Sequence, residues 1–159
     1  MNKHTWKRYA LWILLVEAVG ALSGWLTRKG ARAYQETIVQ PPLSPPGVVF
    51  PIVWGILFAL MGIGAARIWA SPPSAARTRS LRLFGVQLAF NFFWSILFFN
   101  LQLFGLALLW LIALWGLILW MIRAFRQVDR PAALLQIPYL LWVTFAGYLN
   151  AGVWFLNRQ

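Results

Sequence analysis

Cysteine is absent, histidine occurs once and acidic residues occur only three times in 159 residues. Without cysteine the chain forms no disulfide, carries no thiolate nucleophile and offers no thiolate metal ligand. The single histidine, His4, lies in a basic leader, so no metal site is expected. Three carboxylates are too few for paired acid–base work, and neither a glycine-rich phosphate loop nor a Ser-His-Asp set is present. Hydrolases and nucleotide-driven pumps are therefore poor candidates, and no catalytic constellation is assigned. Charge of either sign is scarce too, at 11% of residues against 61% hydrophobic. That balance cannot cover the surface of a soluble domain, so lipid is the expected solvent.

What is present is aromatic and basic. The chain holds 11 Trp and a net charge of +11. Its Lys and Arg residues sit between apolar runs rather than in one patch. That placement fits span ends contacting anionic headgroups of membrane lipid, and no nucleic-acid partner is expected.

Five apolar runs are long enough to cross a hydrocarbon core of about 30 Å. They cover about 9–26, 48–69, 81–99, 104–122 and 132–156, within a single domain spanning 1–159. The expected fold is an all-α integral membrane protein, a bundle of five transmembrane helices. The first run follows a basic leader, as in a signal peptide, but GWLTRKG at its end offers no good cleavage site, so a retained span is expected. A polar loop at 27–47, ending in QPPLSPPG, forms a lid over the second span. Asn100 to Leu103 is read as a tight turn, and Pro138 as a kink inside the fifth span. Ten of the 14 Lys and Arg residues fall on the side of the leader. The positive-inside rule then puts the N-terminus in the cytoplasm and the proline loop on the far side.

Polar groups inside the spans mark where function would lie. Glu17 is the only acidic residue in any run, with Gly20 and Gly24 in a GxxxG pattern after it. Such a carboxyl is costly in hydrocarbon and faces the bundle interior, either as a functional group or as an interhelical contact. Helical spacing aligns Trp54, Phe58 and Met61 on the second span, and Asn91, Trp94, Ser95 and Phe98 on the third. It aligns Trp142, Ala146 and Leu149 on the fifth, with Asn150 at the edge. These stripes either line a pocket for a large flat apolar ligand or serve as packing.

Three segments carry a resemblance. Pro41 to Trp69, Gln87 to Asn100 (QLAFNFFWSILFFN) and Ile137 to Asn150 (IPYLLWVTFAGYLN) resemble, in order, the tryptophan-rich sensory protein / translocator protein family (TspO/MBR), also called the peripheral-type benzodiazepine receptor. The resemblance covers nearly the whole chain. It implies a receptor-like five-helix bundle, often a homodimer, of a bacterial type housed in the cell membrane. It implies binding of porphyrin or haem and of benzodiazepine-type ligands, with no obligatory cofactor, and roles in tetrapyrrole regulation, transport or light-dependent degradation. By residue-for-residue match, Trp54, Asn91, Trp94, Phe98, Trp142 and Ala146 line the implied pocket, and Tyr34 and Pro45 belong to its lid. Were light-dependent porphyrin breakdown to occur, Trp54 and Trp142 are the candidate photochemical residues.

The loop departs from the family pattern. Ala33 and Leu43 stand at its two tryptophan positions, so the lid is less aromatic. Ala151 and Phe155 replace the sterol-linked Tyr and Arg of animal members, so cholesterol is not an expected partner. Two rival functions follow from the residues: a small transporter of hydrophobic compounds that uses Glu17, or a regulatory membrane partner with no small ligand.

Overall fold

The computed structural model describes residues 3–158, and among these every regular element is a helix. Five of them are long and apolar enough to cross a membrane. Helix α1 spans Lys3–Leu26 and a short α2, Arg28–Thr37, folds back after it. Helices α3 (Val49–Ala70) and α4 (Ala75–Ser95) follow, the latter continued by a π-helical turn at Ile96–Asn100. Helix α5 is Phe104–Val128, α6 is the short Arg130–Leu134, and α7 is Ile137–Leu156.

Large apolar side chains cover the outside of the bundle, and its mostly apolar core encloses a few polar groups. Leu11, Leu14, Leu109, Leu141 and Phe155 are exposed, whereas Gln87, Gln136 and Asn150 are fully enclosed. That pattern suits a hydrocarbon solvent, where apolar faces need no cover and polar groups need partners.

At the basic end, aromatic rings close the core. Phe84 stacks on Phe125 with centroids 6.4 Å apart, and Trp12 meets Phe84 edge-on at 6.0 Å. Asp129 holds this end together. It accepts from Arg67 Nε at 2.6 Å and Nη2 at 3.2 Å, and caps α6 by accepting from Ala132 N at 3.1 Å. The Arg67 hydrogen bond keeps its carboxyl below the usual carboxylate range.

Helix α1 lies against α3 by a close approach. A Cβ at Gly62 would fall 2.6 Å from Ile13 Cα, so only glycine admits that backbone. Gly20 likewise leaves room for the Phe58 ring, whereas Gly24, the other half of the GxxxG pattern, has nothing within 4 Å.

Several boundaries differ from the sequence reading. The loop at 27–47 is helical over its first half, as α2; only the stretch after Thr37 is extended and proline-bound. Helix α1 begins at Lys3 and α4 at Ala75, because Ser74 caps α4 by accepting from Arg77 N at 3.0 Å. Helix α5 runs on to Val128, where Asp129 takes over as cap. Pro138 does not kink a continuous fifth helix. The chain breaks before it, at Leu135 and Gln136, and Pro138 sits in the first turn of α7, where its missing N–H costs nothing. Asn100 to Leu103 is not a tight turn alone: the turn closes from the π-helical segment, with Leu103 N donating to Leu97 O at 3.0 Å.

Candidate functional site

Between α1, α3, α4 and α7, beneath α2, lies a cavity of about 600 Å³. That is within the roughly 300–1,000 Å³ of small-molecule sites. Aromatic rings make most of its walls. Trp54 stacks on Phe58 with centroids 5.5 Å apart, one helical turn apart on α3. Trp94 stacks on Phe98 at 5.0 Å on the facing wall, and Trp142 meets Phe50 edge-on at 6.0 Å.

The α4–α7 wall is held by hydrogen bonds. Trp94 Nε1 donates to Asn150 Oδ1 at 3.1 Å, and Asn150 Nδ2 donates to Phe104 O at 2.8 Å. Asn91 Nδ2 donates to the Tyr139 hydroxyl at 2.7 Å, which donates to Gln87 Oε1 at 2.8 Å. These bonds satisfy polar groups at membrane depth and fix the rotamers of Trp94 and Asn91.

The roof is α2 and the extended segment after it. Tyr34 is buried, packed on Phe98 at 5.3 Å and edge-on to Phe99 at 5.5 Å. Burial pushes its phenol up to about 12, so it stays a neutral hydroxyl. Asn100 Nδ2 donates to Leu26 O at 3.1 Å and ties the π-helical turn to the end of α1. The extended segment is pinned to α7. Val39 N donates to Asn157 Oδ1 at 3.1 Å while Asn157 Nδ2 donates to Val39 O at 2.9 Å, and the Tyr148 hydroxyl donates to Pro42 O at 2.7 Å.

Residues 12–155 match the model of the TspO/MBR family. The chain belongs to the TspO/MBR family. It is 40% identical to tryptophan-rich protein TspO of Chlorobaculum tepidum over 149 residues, which cover 93% of this chain and 94% of that one. It is 34% identical to the translocator protein of Bos taurus over 147 residues, covering 91% and 87%. It is 31% identical to the tryptophan-rich sensory protein of Cereibacter sphaeroides over 149 residues, covering 94% and 92%. With five apolar helices of spanning length, this TspO/MBR protein is a multi-pass integral membrane protein.

The TspO/MBR cavity gathers most of the residues singled out in the sequence. Tyr34, Trp54, Phe58, Asn91, Trp94 and Ser95 line it, as do Phe98, Trp142, Ala146 and Leu149. Pro45 does not; the lid reaches the cavity through Gly47 beside Gln35. Leu43 is outside it too, 81% exposed with a left-handed backbone at φ 70°. Met61, on the Trp54 stripe, is buried in the core instead.

Sequence reading missed Phe50, Pro51 and Phe99 on the wall, and Arg32 and Gln35 at the roof. Phe50 and Pro51 lie within the motif segment and could have been found there. Phe99 lies off the Asn91, Trp94, Ser95 and Phe98 stripe, in the π-helical turn, and lines the cavity beside Phe98. Glu17 also lines the cavity, and its Oε1 is buried with no hydrogen-bond partner among the described residues.

Proposed function

We propose that this protein is a receptor-like membrane protein that takes a planar apolar ligand of the porphyrin or haem kind into the cavity under α2. The observation that supports it is the cavity itself, large enough for a small-molecule ligand and walled by Trp54, Phe58, Trp94, Phe98 and Trp142. Aromatic faces gain most from a flat partner by offset stacking, each contact adding about 0.5–1.5 kcal/mol beyond the area buried. Benzodiazepine-type ligands, apolar and built from aromatic rings, suit the same walls. Ala146, small on α7, leaves the space that a larger side chain would fill.

In this reading Trp54 and Trp142 hold the ligand from either side, and Asn91 presents its remaining amide capacity to the ligand's polar atoms. Tyr34 closes the roof. The positive-inside rule puts the N-terminus in the cytoplasm and the α2 roof on the opposite face of the membrane. Any chemistry on a bound porphyrin would come from the ligand's own excited state, with Trp54 or Trp142 as the nearby electron donor.

A dark titration with protoporphyrin IX tests the reading, following tryptophan emission of the purified protein. Saturable quenching is expected in the parent, weakened at least about tenfold in a Trp142→Phe/Ala146→Leu variant. Quenching that does not saturate, or is equal in the two proteins, would mean that the porphyrin dissolves in detergent and the cavity does not bind it.

A further inference from the structure

The cavity has an asymmetry that a neutral flat ligand does not use. Two ionisable carriers of charge line it, Arg32 at the roof and Glu17 far below. Glu17 precedes Thr27, where α1 gives way to α2, by ten residues, which at the helical rise is about 15 Å of depth. It sits at the level of Phe58, since Gly20, one turn further up α1, faces that ring.

Several polar side chains on these walls have partners. Asn91 is bonded to Tyr139, Trp94 to Asn150, Asn150 to Phe104 O and Thr27 to Ser23 O. Glu17 Oε1 is buried and unpaired. An acceptor left in that state costs about 1–3 kcal/mol, and more when it carries charge. A donor arriving from a ligand removes the cost. The cavity's rings add a second preference: aromatic faces attract a cation, most strongly where water is excluded, and Phe58 is the ring placed at the level of Glu17. One carboxylate among several aromatic faces is the chemistry that recognises an organic ammonium.

We infer that this cavity also accepts flat aromatic molecules that carry a protonated amine, with the ammonium seated at Glu17 and the ring system between the tryptophans. The inference rests on the cavity being a ligand site, and it adds the charge class of the ligand. Glu17 is a specificity residue here: it selects the amine over an isosteric neutral molecule, and the aromatic walls bind the shared ring. Arg32 is the counterpart at the roof, where it disfavours a cation and so orients the amine downward.

The test uses a matched pair of probes, 9-(aminomethyl)anthracene and 9-(hydroxymethyl)anthracene. They share a ring system, and only the first is a cation at neutral pH. Each is titrated into the purified full chain in an uncharged detergent, following quenching of tryptophan emission, in the parent and in Glu17→Gln. Protoporphyrin IX is titrated into the same preparations. The parent should bind the amine at least about tenfold more tightly than the alcohol. In Glu17→Gln the preference should vanish while alcohol binding stays within about twofold, which also shows that the variant's cavity is intact. Equal affinities in the parent, or a preference that survives in Glu17→Gln, would overturn the inference. If protoporphyrin saturates and the amine shows no preference, the amine site alone is lost. If none of the three saturates, the ligand-site reading falls with it.

Discussion

The two long walls of the cavity are built in opposite ways. The α4–α7 wall is crossed by side-chain hydrogen bonds, from Asn91 through Tyr139 to Gln87 and from Trp94 through Asn150 to Phe104 O. Helix α1, on the other side, buries only Val16 and Ser23 among its described side chains. It is held to α3 by shape, through Gly62 against Ile13 and Gly20 against Phe58. One wall is thus rigid and polar-satisfied; the other is thin, lipid-facing and carries the unpaired Glu17. The difference is one of kind and not of tightness: the first wall is fixed by directional bonds, the second by the close backbone approach of α1 to α3, which leaves the rest of α1 facing lipid.

Adding bulk to the thin wall should have the largest effect. Gly62→Val would drive a side chain into the Ile13 backbone, and α1 would have to leave its seat. A loss of about 3 kcal/mol is expected, at the upper end of overpacking costs, read as a lowered unfolding midpoint in detergent. Little change would mean that α1 already stands off α3, and the contrast between the walls would be smaller than stated.

Breaking the rigid wall should cost less. Tyr139→Phe keeps the buried ring and removes the hydroxyl between Asn91 and Gln87. About 2 kcal/mol is expected from the two groups left without a partner, again from the unfolding midpoint. A neutral result would show that Asn91 and Gln87 find other partners, and that this wall is held by ring packing.

The smallest effect on stability is expected at Gly24→Ala. Nothing lies within 4 Å of the added methyl group, yet Gly24 lines the cavity. Stability should stay within about 0.5 kcal/mol of the parent. Protoporphyrin affinity, measured on the same protein, should fall, because the methyl takes ligand space. Unchanged affinity would put the ligand away from α1 and against the hydrogen-bonded wall alone.

Much of this arrangement was legible in the residues. Trp54 and Phe58, or Asn91, Trp94 and Phe98, share faces because helical periodicity is local, and polar side chains at membrane depth must turn inward. Asn91 was readable as inward-facing; that its partner would be Tyr139, 48 residues away, was not. The lid was read less well. Its prolines were visible, but Pro45 does not line the cavity, and α2 carries few of the apolar residues that mark a helix inside a membrane.

The sequence by itself determined the solvent, the five spans, the family and the faces on which aromatic and amide groups would appear. The solvent, the spans and the faces follow from composition or from spacing within one helix, and the family from the resemblance that three segments carry. The tertiary structure decided the rest: α2 folding over the bundle, Phe99 beside Phe98 on the cavity wall, Pro138 at a helix start and Glu17 left without a partner among the described residues. Those outcomes depend on contacts between residues distant in the chain, where the fit of one surface on another, and not local preference, sets the lowest free energy.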